Sequence, residues 1–178
     1  NIHHGSGKQE FWRTEAQEMC KALCQNLGLK LVTGGPNVQE LKSEESLRDF
    51  RYGELNRLKS EHQCDFILTA HHADDLLETR FLRIMRGTGP LGLEALSEFE
   101  GDLWRPFLEI SKEEILQYAS ENQLKFIEDP SNSSIDPLRN WLRLELFPMM
   151  EARQTGVLQN MARSFQLLVE FLDSEVDN

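Results

Sequence analysis

The chain has 178 residues, 39% of them hydrophobic and 28% charged, which suits a globular core of one domain with an appendage. Its 30 acidic residues against 19 Lys and Arg give a formal net charge of −11, which argues against a general nucleic-acid binder with a basic face. No apolar run nears the roughly 20 residues of a membrane span. Three cysteines, Cys20, Cys24 and Cys64, are too few and too scattered for a disulfide framework. No membrane partner is therefore expected, and the cytoplasm is the expected setting.

The opening "NIHHG" reads as the end of a strand and its turn, with His3, His4 and Gly5 at the strand's carboxyl end. A sheet that starts in mid-strand is expected of a fragment. "GKQEFWRTEAQEMCKALCQNLG" has helical spacing in Phe11, Ala16, Met19, Leu23 and Leu27, with Gly28 as its stop, and Leu29 to Thr33 form a short apolar run. "SEESLRDFRYGELNRLK" predicts a second helix on Leu47, Phe50, Leu55 and Leu58, with Arg48 and Arg51 sharing one face. "CDFILTA", Cys64 to Ala70, is an apolar run of strand length and predicts a strand buried on both faces.

A third helix is predicted from about Asp75 to Arg86, with Asp75 and Glu78 at capping-box spacing and Leu77, Phe81, Ile84 and Met85 as its core face. "LWRPFLEI" predicts an edge strand limited by Pro106. "SKEEILQYASENQL" predicts a helix capped by Ser111 and Glu114. "EDPSNSSIDPLRNWLR" brings Glu128, Asp129, Asn132, Arg139, Asn140 and Arg143 to a loop-to-helix junction, and two helical segments follow around Pro148 to Gly156. Alternating helices and strands imply an α/β fold, a parallel sheet with helices on both faces, over residues 1–135. Residues 136–178 are expected to form a helical extension.

Ligands of open parallel sheets sit beyond the carboxyl ends of the strands. His4 and Gly5 follow one such end, and His71, His72, Asp74 and Asp75 follow another. The two carboxylates have a plainer use, since helix N-termini favour them as caps. Gly87, Thr88 and Gly89 either cap the helix and turn, or receive a phosphate on their amides. Adjacent histidines on extended chain point to opposite sides, so no transition-metal cage is expected. Cys20 and Cys24 share a helix face and read as packing. The arginine pairs are ordinary surface residues or phosphate contacts.

Taken together, "AHHADDLLETRFLRIMRGTGPLGLEAL", "RPFLEISKEEI", "FIEDPSNSS" and "RNWLRLELFP", with "HHG" and "EESLRDFRY", resemble the tRNA(Ile)-lysidine synthase family of the PP-loop ATP pyrophosphatase superfamily. The family's serine/glycine-rich PP-loop does not occur in this sequence, so the expectation is a catalytic core that begins just after it. The resemblance implies two steps. ATP, with Mg2+, adenylates the C2 oxygen of the wobble cytidine in tRNA(Ile) with a CAU anticodon, and free L-lysine then displaces AMP. It implies Asp75 as the essential carboxylate, with Asp74 and Glu78 beside it and Arg48 and Arg139 in phosphate or cytidine contacts. His4, Gly5, His71, Gly87, Thr88 and Gly89 would line the nucleotide crevice, and Arg51, Arg83, Arg86, Asn140 and Arg143 would meet the tRNA. A tRNA thiolase of the same superfamily and a non-catalytic α/β binding module are the alternatives. An open sheet edge would favour association, so a homodimer is an allowed state.

Overall fold

The computed structural model describes residues 8–34, 44–128 and 137–176. Contacts divide the chain into two compact units, one of residues 1–65 with 126–132 and one of residues 66–125 with 133–178.

In the first unit, α1 (Lys8–Asn26) ends where expected. Gly28 takes φ +65°, its N–H bonds Gln25 O at 3.2 Å, and Leu29 N–H bonds Cys24 O at 2.8 Å. That left-handed turn closes the helix carbonyls at no steric cost to glycine. The apolar run from Leu29 forms no strand, and Leu29, Leu31 and Val32 are exposed. The second predicted helix is α2 (Glu44–Glu61), where Arg57 pairs with Glu54 and Glu61 one turn to either side.

The second unit carries a three-stranded sheet in the order β1 (Ile67–Leu68), β3 (Leu103–Trp104), β2 (Phe99–Glu100). β1 and β3 are parallel, and β2 and β3 antiparallel, so among the described residues the sheet is small and mixed, with the expected parallel pairing between β1 and β3. Only Ile67 of β1 is buried; Phe66 and Leu68 are exposed, because β1 is an edge strand among the described residues. "LWRPFLEI", expected at an edge, supplies the central strand instead. Pro106 falls beyond the paired residues, in a turn, so its missing N–H interrupts no ladder bond.

The core of this unit lies among helices. α3 (Ala73–Met85) contributes Leu77 and Leu82, the π-helical stretch Leu142–Leu146 contributes Leu142, α6 (Phe147–Arg153) contributes Phe147, and α7 (Val157–Val176) contributes Phe165. Phe81 meets Phe147 and Phe165 edge-on, with centroids 5.0 and 5.9 Å away. The expected α3 core face is thus half correct: Leu77 and Phe81 pack inward, while Ile84 and Met85 are about half exposed. This shared core also joins residues on both sides of the expected boundary at 135/136, because α3 has its apolar partners in the helices that follow that loop.

α4 (Lys112–Glu121) starts as its sequence predicts. Ser111 Oγ accepts Glu114 N–H at 3.2 Å, and the Glu114 carboxylate accepts Ser111 N–H at 2.8 Å. The Ser111 hydroxyl, 2.7 Å from Glu114 Oε2, and then the Ser111 N–H hold Glu114 below the ordinary carboxylate range. Replacing Ser111 by Ala should cost about 1 kcal/mol of stability, read as a lower midpoint in urea unfolding with an unchanged slope.

Candidate active site

β1 hands over to α3 through "TAHH", and the cap falls three residues earlier than predicted. His72 is extended (φ −122°, ψ 177°) and its backbone N–H donates to Asp75 Oδ2 at 3.1 Å. Asp75 is therefore the acidic residue that reaches back to the cap, and Glu78 is released from capping. Glu78 is buried instead, with 2% of its surface exposed. A buried carboxylate needs partners. Arg143 supplies a fork, Nε to Oε1 and Nη2 to Oε2, both at 2.8 Å.

Arg139 and Arg143 are one turn apart, on α5 (Pro137–Trp141) and in the π-helical stretch after it, and both face α3. Arg139 Nε lies 3.9 Å from Glu78 Oε2, and its Nη2 donates to Thr79 Oγ1 at 3.5 Å. Arg143 Nη2 also stands 3.8 Å from Asp75 Oδ1. The Glu78 hydrogen bonds, and then its charge with those of Asp75 and Asp74, raise the Arg143 guanidinium above its usual value against the opposing effect of burial. The π-helical turn itself is closed by Phe147 N–H to Leu142 O, and Pro148, which has no N–H, follows at the start of α6.

Asp74, one residue earlier than Asp75, lies on another side of the helix. Its Oδ2 accepts Lys112 N–H from α4 at 2.8 Å, and it lines a cavity of about 500 Å³ with Ser111, Glu113, Glu151 and Gln159. His72 spans the two aspartates, Nδ1 3.5 Å from Asp74 Oδ2 and Nε2 3.4 Å from Asp75 Oδ2. The Asp74 contact, with the charges of Asp75, Asp74 and Glu78, raises His72 above its ordinary value despite its partial burial. Reciprocally, His72 and the Lys112 amide hold Asp74 below its own.

Asp75, Glu78, Arg139 and Arg143 thus form one cluster, with Asp74 attached through His72. His71 is half-buried beside it in sequence, its Nδ1 2.9 Å from Thr69 Oγ1, and Asn140 is half-buried on α5. Gly87 and Thr88 do what a C-cap does: Gly87, at φ +79°, bonds Ile84 O and Thr88 bonds Arg83 O, so these two amides are already in use. Gly89 begins a short 3-10 turn, Pro90–Leu93. Arg83, expected at tRNA phosphates, spends its guanidinium on Gly92 O and Ala95 O at 2.8 and 3.1 Å. Arg86 is exposed at the end of α3. Arg48 lies over the Tyr52 ring on α2 at 5.2 Å, and Arg51 is exposed there. His3, His4, Gly5, Asp129 and Asn132 lie outside the described residues.

The sequence places Arg105 among arginines that could form a basic patch, but it is almost wholly buried and donates to Ser97 O and Glu100 Oε2, both at 2.7 Å. Its place next to Pro106, in an apolar "LWRPFL" run, was the available signal. Arg80 is a second such anchor, donating to Leu93 O at 2.8 Å and pushed down by burial. Among the described residues no group of three or more His, Cys, Asp or Glu side chains is arranged to hold a metal ion.

The carboxylate–arginine cluster lies where a strand passes into a helix, the edge at which open α/β sheets take their ligands. Residues 1–150 match the family model of the PP-loop domain, and the chain belongs to that family. It is 42% identical to the tRNA(Ile)-lysidine synthase of Bdellovibrio bacteriovorus, over 97% of this chain and 54% of that protein. It is 36% identical to that of Shewanella woodyi over 99% of this chain and 39% of that protein, and 34% identical to that of Bacillus subtilis over 86% and 34%. The chain thus spans about a third to a half of the length of these relatives. The solved U34-tRNA thiolase NcsA from Methanococcus maripaludis shares the fold, with a TM-score of 0.69 at 20% identity over 89% of this chain and 57% of that one. No helix among the described residues is long and apolar enough to cross a membrane.

Two consequences are measurable. Arg143→Ala leaves Glu78 buried with only the distant Arg139 contact and should lower stability by about 3 kcal/mol or more. The double variant Glu78→Leu/Arg143→Leu should recover part of that loss in the same urea titration. The His72–Asp74 pair has a pH window. His72 is raised, so its contribution is complete below its unfolded value and is lost as pH rises through the folded one. Asp74 is lowered, so its contribution is present above the ordinary carboxylate range and is lost in acid. His72→Gln should therefore destabilise more at pH 5 than at pH 9, measured by thermal unfolding at both.

Proposed function

We propose that the chain acts as the catalytic domain of a tRNA(Ile)-lysidine synthase, using ATP to ligate free lysine to C2 of the wobble cytidine in tRNA(Ile) with a CAU anticodon. The single observation that carries the reading is the cluster of Asp75 and Glu78 with Arg139 and Arg143, within a chain so similar to proteins of that name. In the first step the cytidine C2 oxygen attacks the α-phosphorus of ATP; the new O–P bond replaces the bond to pyrophosphate, which leaves. In the second, an amine of lysine attacks C2, the C2–O bond breaks, AMP leaves and the nitrogen gives up a proton.

The chain's own residues suit both steps. Glu78 fixes the Arg143 fork, a held cation of the kind that suits the negative charge gained by phosphate or cytidine oxygens. Arg139, partly exposed on the same face, offers a second cation. Asp75 is less buried than Glu78, with 18% of its side chain exposed, which supports it as the carboxylate that orients the incoming ammonium and takes its proton. Arg48, Arg51 and Arg86, with Asn140, His71 and Gly89, remain proposed tRNA or nucleotide contacts on the family resemblance. Mg2+, when bound with ATP, would neutralise pyrophosphate charge, chiefly through phosphate oxygens and water.

The test is incorporation of radiolabelled lysine into a tRNA(Ile) transcript with a CAU anticodon by the full-length protein, against a sulfur donor as the competing co-substrate. Wild type should label with lysine alone. Asp75→Asn should reduce lysine labelling at least about 100-fold with an unchanged far-UV circular dichroism spectrum. Sulfur labelling instead, or full activity of Asp75→Asn, would overturn the reading.

A further inference from the structure

The first turn of α3 sends Asp74 and Asp75 to different neighbours, and His72 stands between them. Asp75 has its two oxygens in different surroundings. Oδ2 receives the His72 backbone N–H at 3.1 Å and faces the His72 ring Nε2 at 3.4 Å, while Oδ1 faces Arg143 at 3.8 Å. The ring cannot swing freely, because only 18% of the His72 side chain is exposed and its Nδ1 edge faces Asp74. Asp74 is in turn tied to the start of α4 through Lys112 N–H at 2.8 Å. A chain of contacts therefore runs from the first residue of α4, through Asp74 and the imidazole, to the oxygen of Asp75 that does not face Arg143.

We propose that His72 is a positioning residue: its imidazole, braced against α4 by Asp74, fixes the Asp75 carboxylate so that Oδ1 is presented on the Arg143 side of the site. This rests on the ligase reading above, and on Asp75 as the group that meets the lysine amine. A carboxylate on a short side chain has two soft torsions. Holding one oxygen at two points, backbone and ring, removes most of that freedom before substrate arrives, and misplacing a reacting group by about 1 Å costs on the order of 10²-fold in rate. The backbone contact, and the place of the His72 side chain beside the Asp75 amide, belong to the capping box; the contact of Nε2 with Asp75 Oδ2 is the part a cap does not need.

Geometry makes the two amide substitutions unequal. The glutamine amide reaches about as far as Nε2, the edge that faces Asp75, and the asparagine amide only about as far as Nδ1, the edge that faces Asp74. In the full-length protein, His72→Asn should lower kcat for lysine ligation by about 10- to 100-fold with KM for ATP unchanged. His72→Gln should stay within a few-fold of wild type. Both variants lose the ring and its charge, but a role confined to the Asp74 contact or the helix cap would spare His72→Asn and not His72→Gln, the reverse order, and thermal unfolding of each is the control. Equal kcat for His72→Asn and wild type, or equal impairment of the two variants, would overturn the proposal. Asp75→Asn in the same assay separates the two readings. If it ligates normally, the ligase assignment of Asp75 falls and takes this inference with it. If it is inactive while His72→Asn is normal, the positioning role alone is lost.

Discussion

The site depends on one buried contact, the two-bond fork between Glu78 and Arg143. A carboxylate with 2% of its surface exposed has given up its hydration, and only charged hydrogen bonds of good geometry offset that loss. The fork locks α3 to the π-helical stretch that follows α5. Once Glu78 is fixed, Arg143 has a fixed direction, and Arg139 one turn before it falls on the same face. The apolar core takes Leu77, Leu82 and Leu142 from these two elements and adds Phe147 from α6 and Phe165 from α7. Burial and electrostatics thus act on one joint from two sides.

That arrangement makes sense of a net charge of −11 in a family whose relatives are named for a tRNA. Bulk charge sets long-range attraction, whereas a reacting centre needs a few cations held in place. Several of the chain's arginines act inward: Arg80 and Arg83 hold the carbonyls of the turn after α3, and Arg105 holds the turn around Ser97. Arg139 and Arg143 differ because their partners are the carboxylates of the cluster.

The strand-to-helix turn is the second organising feature. It carries a histidine whose backbone caps through Asp75 and whose ring spans Asp74 and Asp75, so that local helix chemistry and site geometry share the same atoms. The carboxylates divide the labour: Asp74 joins helix termini, Asp75 stays partly exposed, and Glu78 is buried as a brace.

Local rules determined much of this from the sequence alone. The Ser111–Glu114 box, the Gly28 and Gly87 stops and the existence of α3 follow from propensities and orphan backbone groups that act over a few residues. The ordered motifs also carried the family. What the sequence left open depends on partners far along the chain. Asp75 and Glu78 have the spacing of a cap, and only the approach of Arg143, 65 residues away, decides that Glu78 is buried and braced. "LWRPFLEI" has the pattern of an edge strand, but an edge is defined by neighbours, and β1 and β2 make it central. The apolar runs at Leu29 and Phe66 signal burial in the same way, yet these residues are exposed here. Composition records what a residue can do; which of its options is taken depends on the charges and surfaces that tertiary folding brings within a few ångströms.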